Sequence, residues 1–384
     1  MDPKEYRNSP SGRPILTPTG YWAFLPASLP PDITWSAPLV TALSEAERDL
    51  SRLSTRAGAF PFPRRITQPF VRNEAILSSR IEGTRASLAD LYMYETTQLS
   101  FFEQTEDVRE VYNYVRAMDF GLERLRTLPV SLRLIRELHA KLMENVRGGT
   151  LTPGEFRRSQ NWIGPVGSTI STAAYVPPPV EEMHRALAEL EKYIHVDNQI
   201  PALARVAMIH YQVEAIHPFL DGNGRIGRLL VILLLCEWGL LPQPVLNLSV
   251  YIERYRQEYY DHLLAVSQQG AWEDWLFFFF RGVSEQAKEG VARMERLEAI
   301  RTSYQPFVEA DRNSGRMAAL VDFIISRPIL SVRQAAEGLG IPYKTANDYM
   351  EKLVRAGILR EITGHARNRV FRSDEILRGI QGID

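Results

Sequence analysis

From Gln68 onward the apolar positions recur at helical spacing. Val71, Ala75, Ile76 and Ile81 fall on one broad face, and Gly83 ends that helix, spanning about 69–83, as a C-cap. Ser87-Leu88-Ala89-Asp90 has the form of a capping box and starts another helix. The same period predicts amphipathic helices over 106–126, 130–146 and 180–195. A helix over 201–216 delivers His217, and the apolar run 229–236 predicts a buried helix over 226–238. Pro242 and Pro244 then make a short link before helices over 249–268 and 271–300. Between 161 and 179 the pattern changes: Gly164, Gly167, Thr169, Ile170 and Thr172 lead into Pro177, Pro178 and Pro179. This stretch reads as an extended hairpin or loop between helices. The chain is therefore mainly α.

The two ends differ from this middle. Residues 1–66 are rich in proline and aromatics with one helical stretch over 38–53. They read as an arm that packs on something else, and as a candidate homodimer contact. The polar stretch 311–315, ending in Gly315, reads as a linker. Beyond it come a helix over 317–326, a second over 331–339 ended by Gly340, and a turn at Pro342-Tyr343. A third helix over 345–356 and two short strands over 359–362 and 369–372, joined through Gly364, complete the outline of a winged helix-turn-helix over 316–384.

With 384 residues the chain can hold two or three cored domains. Hydrophobic residues at 45% and charged residues at 24% are ordinary for a soluble globular protein, and a net charge of -1 steers no partner globally. The single cysteine, Cys236, lies in an apolar run, so neither a disulfide framework nor a cysteine-based zinc site is available and a reducing compartment fits. The polar start of the chain has no apolar h-region, and the longest apolar stretch, 229–236, is too short to cross a bilayer. The expectation is a cytoplasmic protein with no membrane partner.

The chemistry concentrates at 217–228, which reads His-Pro-Phe-Leu-Asp-Gly-Asn-Gly-Arg-Ile-Gly-Arg. A candidate base, a candidate metal ligand, two glycines around an asparagine and two arginines share one loop at the start of a helix. Glycines let backbone N–H groups approach an anion, and a helix N-terminus adds a field that favours negative charge. Taken singly, each residue reads as a cap or a turn. Together, two arginines entering a buried run are hard to explain as solvated side chains. No Walker A loop occurs. His210, His217 and Asp221 could be offered as metal-hydrolase ligands, but no ligand pair at helical spacing supports that. His210 reads as a core histidine, and His139, His184, His195, His262 and His365 carry no motif.

The segment 217–228 resembles the Fic family signature His-Pro-Phe-x-Asp-Gly-Asn-Gly-Arg-x-x-Arg at every fixed position. The resemblance extends to Gln160-Asn161-Trp162-Ile163-Gly164, to Tyr175-Val176-Pro177-Pro178-Pro179 and to 249–260. It implies a Fic-type helical bundle core over 111–310 with a short β-hairpin flap. Before the core stands an N-terminal helical region over 1–110 carrying an inhibitory helix, and after it the winged helix. Fic proteins mostly transfer AMP from ATP to a target hydroxyl, with Mg2+, releasing pyrophosphate. By resemblance His217 is the general base, a role that suits imidazole. Asp221 is the Mg2+ ligand. The loop Pro218, Phe219, Leu220, Gly222, Asn223 and Gly224 cradles the α- and β-phosphates, Arg225 clamps phosphate, and Arg228 reaches the γ-phosphate.

Ser78-Ser79-Arg80-Ile81-Glu82-Gly83 resembles the family's inhibitory motif. Glu82 in a last helical turn opposes the helix dipole at a cost of roughly 0.3–1 kcal/mol, so a cation should compensate it. By resemblance that cation is Arg228, and the pair fills the room of the γ-phosphate. Ser78, Glu82, Gly83 and Arg228 are thus the candidate brake.

Residues 162–179 occupy the family's flap position, where a target peptide can dock by backbone pairing. Gln212 and Tyr251, with Tyr259 and Tyr260, stand where relatives place nucleotide contacts. Tyr255 departs from the asparagine that close relatives often carry near the adenine, which leaves CTP-, UTP- or phosphocholine-type donors open. The rival reading is a DNA-binding regulator. Tyr343, Lys344, Thr345, Asn347 and Lys352, with wing residues Arg360, His365, Arg367, Arg369 and Arg372, could meet phosphates, while Asp348, Glu351, Asp374 and Glu375 dilute the charge. Protein docking through 316–384 is equally consistent.

Overall fold

The computed structural model describes residues 1–60, 63–97, 106–146, 151–165, 167–196, 199–365 and 367–382. Positions 166 of the expected flap, 366 of the expected wing and 98–105 of the N-terminal region therefore lie outside the described residues. The protein is mainly helical. A 3-10 turn, Pro3–Tyr6, precedes the antiparallel hairpin β1 (Gly12–Leu16) and β2 (Trp22–Pro26), in register from Gly12 with Pro26 to Leu16 with Trp22. Then come α1 (Ala37–Gly58), α2 (Pro63–Ile81), α3 (Leu88–Thr97), α4 (Glu106–Arg124) and α5 (Leu132–Leu142). After the flap stretch follow α6 (Val180–His195), α7 (Ala202–Ile216), α8 (Asn223–Glu237), α9 (Leu248–Arg254), α10 (Arg256–Gln269) and the long α11 (Trp272–Ser303).

The tail holds α12 (Gln305–Glu309), α13 (Ser314–Ser326), β3 (Ile329–Ser331), α14 (Val332–Leu339), α15 (Tyr343–Arg355), β4 (Arg360–Glu361), β5 (Val370–Arg372) and α16 (Asp374–Gln381). Its sheet has the order β3-β5-β4, antiparallel throughout. β3, too short at three residues to show a repeat, and α16 are additions to the elements expected from the sequence.

α8 is the centre of the molecule. Ile226 and Leu229 to Leu235 are buried all round it, because α7, α4 and α5 pack on its sides. This also hides the amphipathic signal. α2 is likewise buried on its polar side. Its Arg72 pairs with Glu95 of α3, Asn73 donates to Asn247, Glu74 accepts from Ser249, and Ser78 faces Arg228 of α8. These four polar side chains thereby keep a partner on leaving water. Ser87 and Asp90 cap each other as the box at the head of α3 predicts.

Four expectations need correction. The N-terminal arm packs on its own chain: Tyr6 Oη donates to the Ala174 carbonyl at 2.8 Å and the Phe24 amide to the Val176 carbonyl at 2.8 Å. Those two contacts brace the flap. Among the described residues the flap is a hairpin only at one bridge, Ile163 with Tyr175, since prolines and turns supply few amides for a longer ladder. The helix expected over 249–268 breaks at Tyr255, whose φ of -111° and ψ of 40° separate α9 from α10. The linker over 311–315 is not free: Asp311 pairs with Lys352 of α15, and α13 begins at Ser314.

Nor is the tail hinged from the rest. Tyr92 and Thr96 of α3 donate to the Ser326 and Ile329 carbonyls, and Gln334 of α14 donates to the Glu95 carbonyl. One hydrophobic cluster runs from Leu39 in α1 to Ile380 in α16.

Candidate active site

α7 ends at His217, whose amide still closes on the Val213 carbonyl but whose φ of 49° and ψ of 61° are left-handed. Pro218 forces this exit, because a residue before proline avoids the right-handed helical region and proline has no amide to continue the ladder. The chain then turns through Phe219, Leu220 and Asp221 to Gly222, which takes φ 78° as the N-cap of α8. Asn223 closes the turn on itself: its Oδ1 accepts from the Phe219 amide at 2.9 Å and its Nδ2 donates to the Phe219 carbonyl at 2.8 Å. Its side chain therefore shapes the loop.

The His217 ring has a defined tautomer. Nδ1 lies 3.2 Å from the Glu214 carbonyl. A carbonyl only accepts, so Nδ1 carries the proton and Nε2 keeps the lone pair. Burial, aided by the Arg157 charge, pushes this imidazole down to about 4. It is neutral at physiological pH and able to take a proton.

Three side chains outside the motif hold the turn. Arg157 is fully buried, and among the described residues no carboxylate pairs with it. Its Nε donates to the His217 carbonyl at 3.0 Å, its other nitrogens donate to the Ser159 and Pro178 carbonyls, and its amide donates to the Pro218 carbonyl. Asn161 Nδ2 donates to the His217 and Phe219 carbonyls. His139 of α5 stacks on Phe219 with ring centroids 3.7 Å apart. Asn161 lies in a stretch marked by the family resemblance, but Arg157 and His139 carry no local signal. Only the fold brings them to 217–222.

On the far side of the turn, Arg225 forms a buried pair with Glu110 of α4 at 3.0 Å and lies 3.7 Å from Asp221. The Asp221 side chain is 43% exposed, and its Oδ1 accepts from the Gly222 amide. Arg228 is buried. Its Nε donates to Ser78 Oγ at 2.9 Å, and a terminal nitrogen donates to the Ser78 carbonyl at 2.9 Å and to Glu82 at 2.5 Å. Burial by itself would raise the Glu82 carboxyl, but the charge and hydrogen bond of Arg228 hold it below the ordinary value. Gly83, at φ 102°, ends α2 just after Glu82.

The Glu82 carboxylate reaches into the loop. A Cβ on Gly224 would stand 2.3 Å from its Oε1, so the close approach requires glycine there. An anion already sits at the N-terminus of α8. Behind it, burial raises Glu214 to about 7, with Arg228 opposing. His210 is the core histidine expected: its Nε2 meets Tyr259 Oη at 2.8 Å and burial pushes it down to about 3.

Two expected nucleotide contacts are elsewhere. Gln212 is buried and donates to the Ala27 carbonyl at the end of β2, because the N-terminal arm covers that face of α7. Tyr251 is buried between Tyr255 and Phe278, against Gly282 of α11. It is core, since aromatic spacing alone does not separate a packing face from a ligand face.

Residues 129–235 match the family described as Fic/DOC, and residues 40–123 match the one described as Fic/DOC family N-terminal. The chain belongs to the Fic family. It is 27% identical over 197 residues to proteins called protein adenylyltransferase Fic from Drosophila grimshawi and Drosophila mojavensis, an overlap of 50% of this chain and 36% and 35% of theirs. The match thus spans about a third of the length of these curated relatives. The fold is shared with the crystal structure of a Fic family protein from Desulfovibrio desulfuricans, at TM-score 0.57 and 21% identity over 90% of this chain and 98% of that one. Fic-1 from C. elegans aligns at TM-score 0.52 and 23% identity over 69% of this chain and 75% of its own. The Fic match at 129–235 contains the turn, its base and most of α8. No helix among the described residues is long and apolar enough to cross a membrane.

Proposed function

We propose that this Fic protein transfers AMP from ATP to a hydroxyl of a target protein and that Glu82 restrains the reaction. The observation that carries the reading is the Glu82 carboxylate seated over Gly224 and held by Arg228, beside an imidazole with a free Nε2. A site that accommodates a carboxylate at a helix N-terminus can accommodate a phosphate. The names of the curated relatives agree with this chemistry.

In this reading the target oxygen attacks the α-phosphorus while His217 Nε2 takes its proton. The bond to the bridging oxygen breaks and pyrophosphate leaves. The Gly222 to Arg225 turn stabilises charge on the phosphate oxygens. Asp221 fits a divalent hard ion, being a partly exposed carboxylate with one oxygen uncommitted, and a Mg2+ site commonly combines one carboxylate with substrate phosphates. Bound there, Mg2+ would neutralise phosphate charge. The flap over 162–179, with exposed Trp162, would hold the target strand. With Glu82 and Arg228 paired, the γ-phosphate has no place. The test is mass spectrometry after incubation with ATP and Mg2+: the Glu82→Gly protein gains adenylate on itself or an added target, and the Glu82→Gly, His217→Ala protein gains none.

A second reading concerns the tail. A groove of about 560 Å3 between α15 and the wing is lined by Tyr343, Lys344, Asn347, Arg367, Asn368 and Arg369, with no carboxylate in its wall. Such a groove suits duplex DNA. Arg369 is engaged with Glu351 and Asn347, and Arg360 and Arg372 with Asp374, so Lys344 and Arg367 are the cations left for phosphate. Two phosphate contacts predict a log–log salt dependence with a slope near about -1.8. Anisotropy with a labelled duplex measures it, and binding that is absent or indifferent to salt rejects the reading.

A further inference from the structure

The loop that presents Asp221 rests on a ring that lies outside the motif. His139 of α5 is buried and lies parallel to Phe219, at an interplanar angle of 5° and a centroid distance of 3.7 Å. Its Nδ1 faces the Gly154 amide at 2.8 Å and its Nε2 faces the Asp221 carbonyl at 3.0 Å. An amide only donates and a carbonyl only accepts. Nδ1 therefore holds the lone pair and Nε2 holds the proton, which it donates to Asp221. A Cβ on Gly222 would stand 3.5 Å from the same Nε2, so the ring underlies the turn from 219 to 222.

We propose that His139 is a positioning residue for the divalent-metal function of Asp221. This rests on the reading of the site given above. The ring ties the Asp221 backbone to the 152–155 turn, and the partly exposed Asp221 carboxylate is held on the same turn, its Oδ1 accepting from the Gly222 amide. Partners that orient a ligand in this way commonly contribute tenfold or more to metal affinity. His139 touches no nucleotide in this scheme. Its loss should weaken the metal contribution more than the metal-free grip on phosphate, which rests chiefly on 222–225 and Arg228.

The experiment uses the full-length chain with Glu82→Gly as parent. Calorimetry measures the affinity for a non-hydrolysable ATP analogue in EDTA and again in Mg2+. The parent binds in both and gains affinity with Mg2+. His139→Phe keeps the stack on Phe219 and loses both hydrogen bonds. Its gain with Mg2+ should fall by about tenfold, well beyond any change in its affinity in EDTA. His139→Gln, which retains an N–H for the Asp221 carbonyl, should recover most of the gain and shows that a general loss of packing is not the cause. An undiminished Mg2+ gain in His139→Phe overturns the proposal, as does an equal loss in both buffers. A parent that binds no nucleotide in either buffer refutes the proposed function itself, and the role of His139 with it.

Discussion

Glu82 meets Arg228 at 2.5 Å, and its carboxylate stands where a Cβ on Gly224 would lie 2.3 Å away. The contact joins α2 to the N-terminal turn of α8 across 146 residues of sequence. Arg228 is also anchored by Ser78, so α2 contributes two grips on one guanidinium.

That double grip predicts a graded release. Glu82→Gly removes the carboxylate and should give the largest rise in AMP transfer. Ser78→Ala removes one hydrogen bond to a charged group, worth about 1.5–3 kcal/mol, and leaves the carboxylate seated. Its rate should fall between wild type and Glu82→Gly. A rate assay with labelled ATP orders the three, and equal rates for wild type and Glu82→Gly would defeat the restraint.

The depressed imidazole of His217 sets a pH dependence. The neutral ring acts as the base, and its proton binds only as pH falls toward about 4. Removing Glu82 takes away a charge that raises this ring, so the shift persists in the released protein. kcat/KM of Glu82→Gly should therefore stay level as pH is lowered through the usual imidazole value of about 6.5. An acid limb at that value, read from a rate profile, contradicts the buried, Arg157-facing ring.

Arg157 ties the turn to the flap through the carbonyl oxygens of His217, Ser159 and Pro178. Arg157→Met removes these three bonds and takes the donor from the buried Pro178 carbonyl, while Asn161 still donates to the His217 carbonyl. The expected loss of stability is about 3 kcal/mol, with AMP transfer falling as His217 loses its anchor. The denaturant midpoint gives the first quantity and the rate assay the second. An unchanged midpoint would show the guanidinium to be dispensable.

Gln212 separates a family-based expectation from the geometry. Its amide is committed to Ala27, away from the turn. Gln212→Ala should leave nucleotide affinity unaltered in the Glu82→Gly protein and lower stability by about 1 kcal/mol. A large loss of nucleotide affinity would place the side chain back at the site.

Much of this was legible in the chain itself, and for a local reason. A loop such as 217–228 writes its conformation in its own residues: proline stops α7, glycine takes the left-handed cap, and Asn223 closes on Phe219 only four positions away. Helical periodicity likewise located α4 and α6, which keep an exposed stripe, and α2, which Gly83 ends. It passed over the break at Tyr255, since the apolar spacing continues on both sides of it. The added strand β3, of three residues, was too short to show a period, whereas α16 carries one, Ile376, Leu377 and Ile380 sharing a face.

Residue types and their order thus determined the mainly helical class and the turn at 217–228, and singled out His217 and Glu82 as its candidate base and restraint. The tertiary structure alone decided that His139, Arg157 and Glu110 hold that turn, that the N-terminal arm braces the flap, and that Gln212 and Tyr251 belong to the packing. Those choices depend on contacts between residues far apart in the chain. Side-chain spacing along one helix carries no record of which neighbour will cover it, and burial and hydrogen-bond pairing settle that only once the helices have packed.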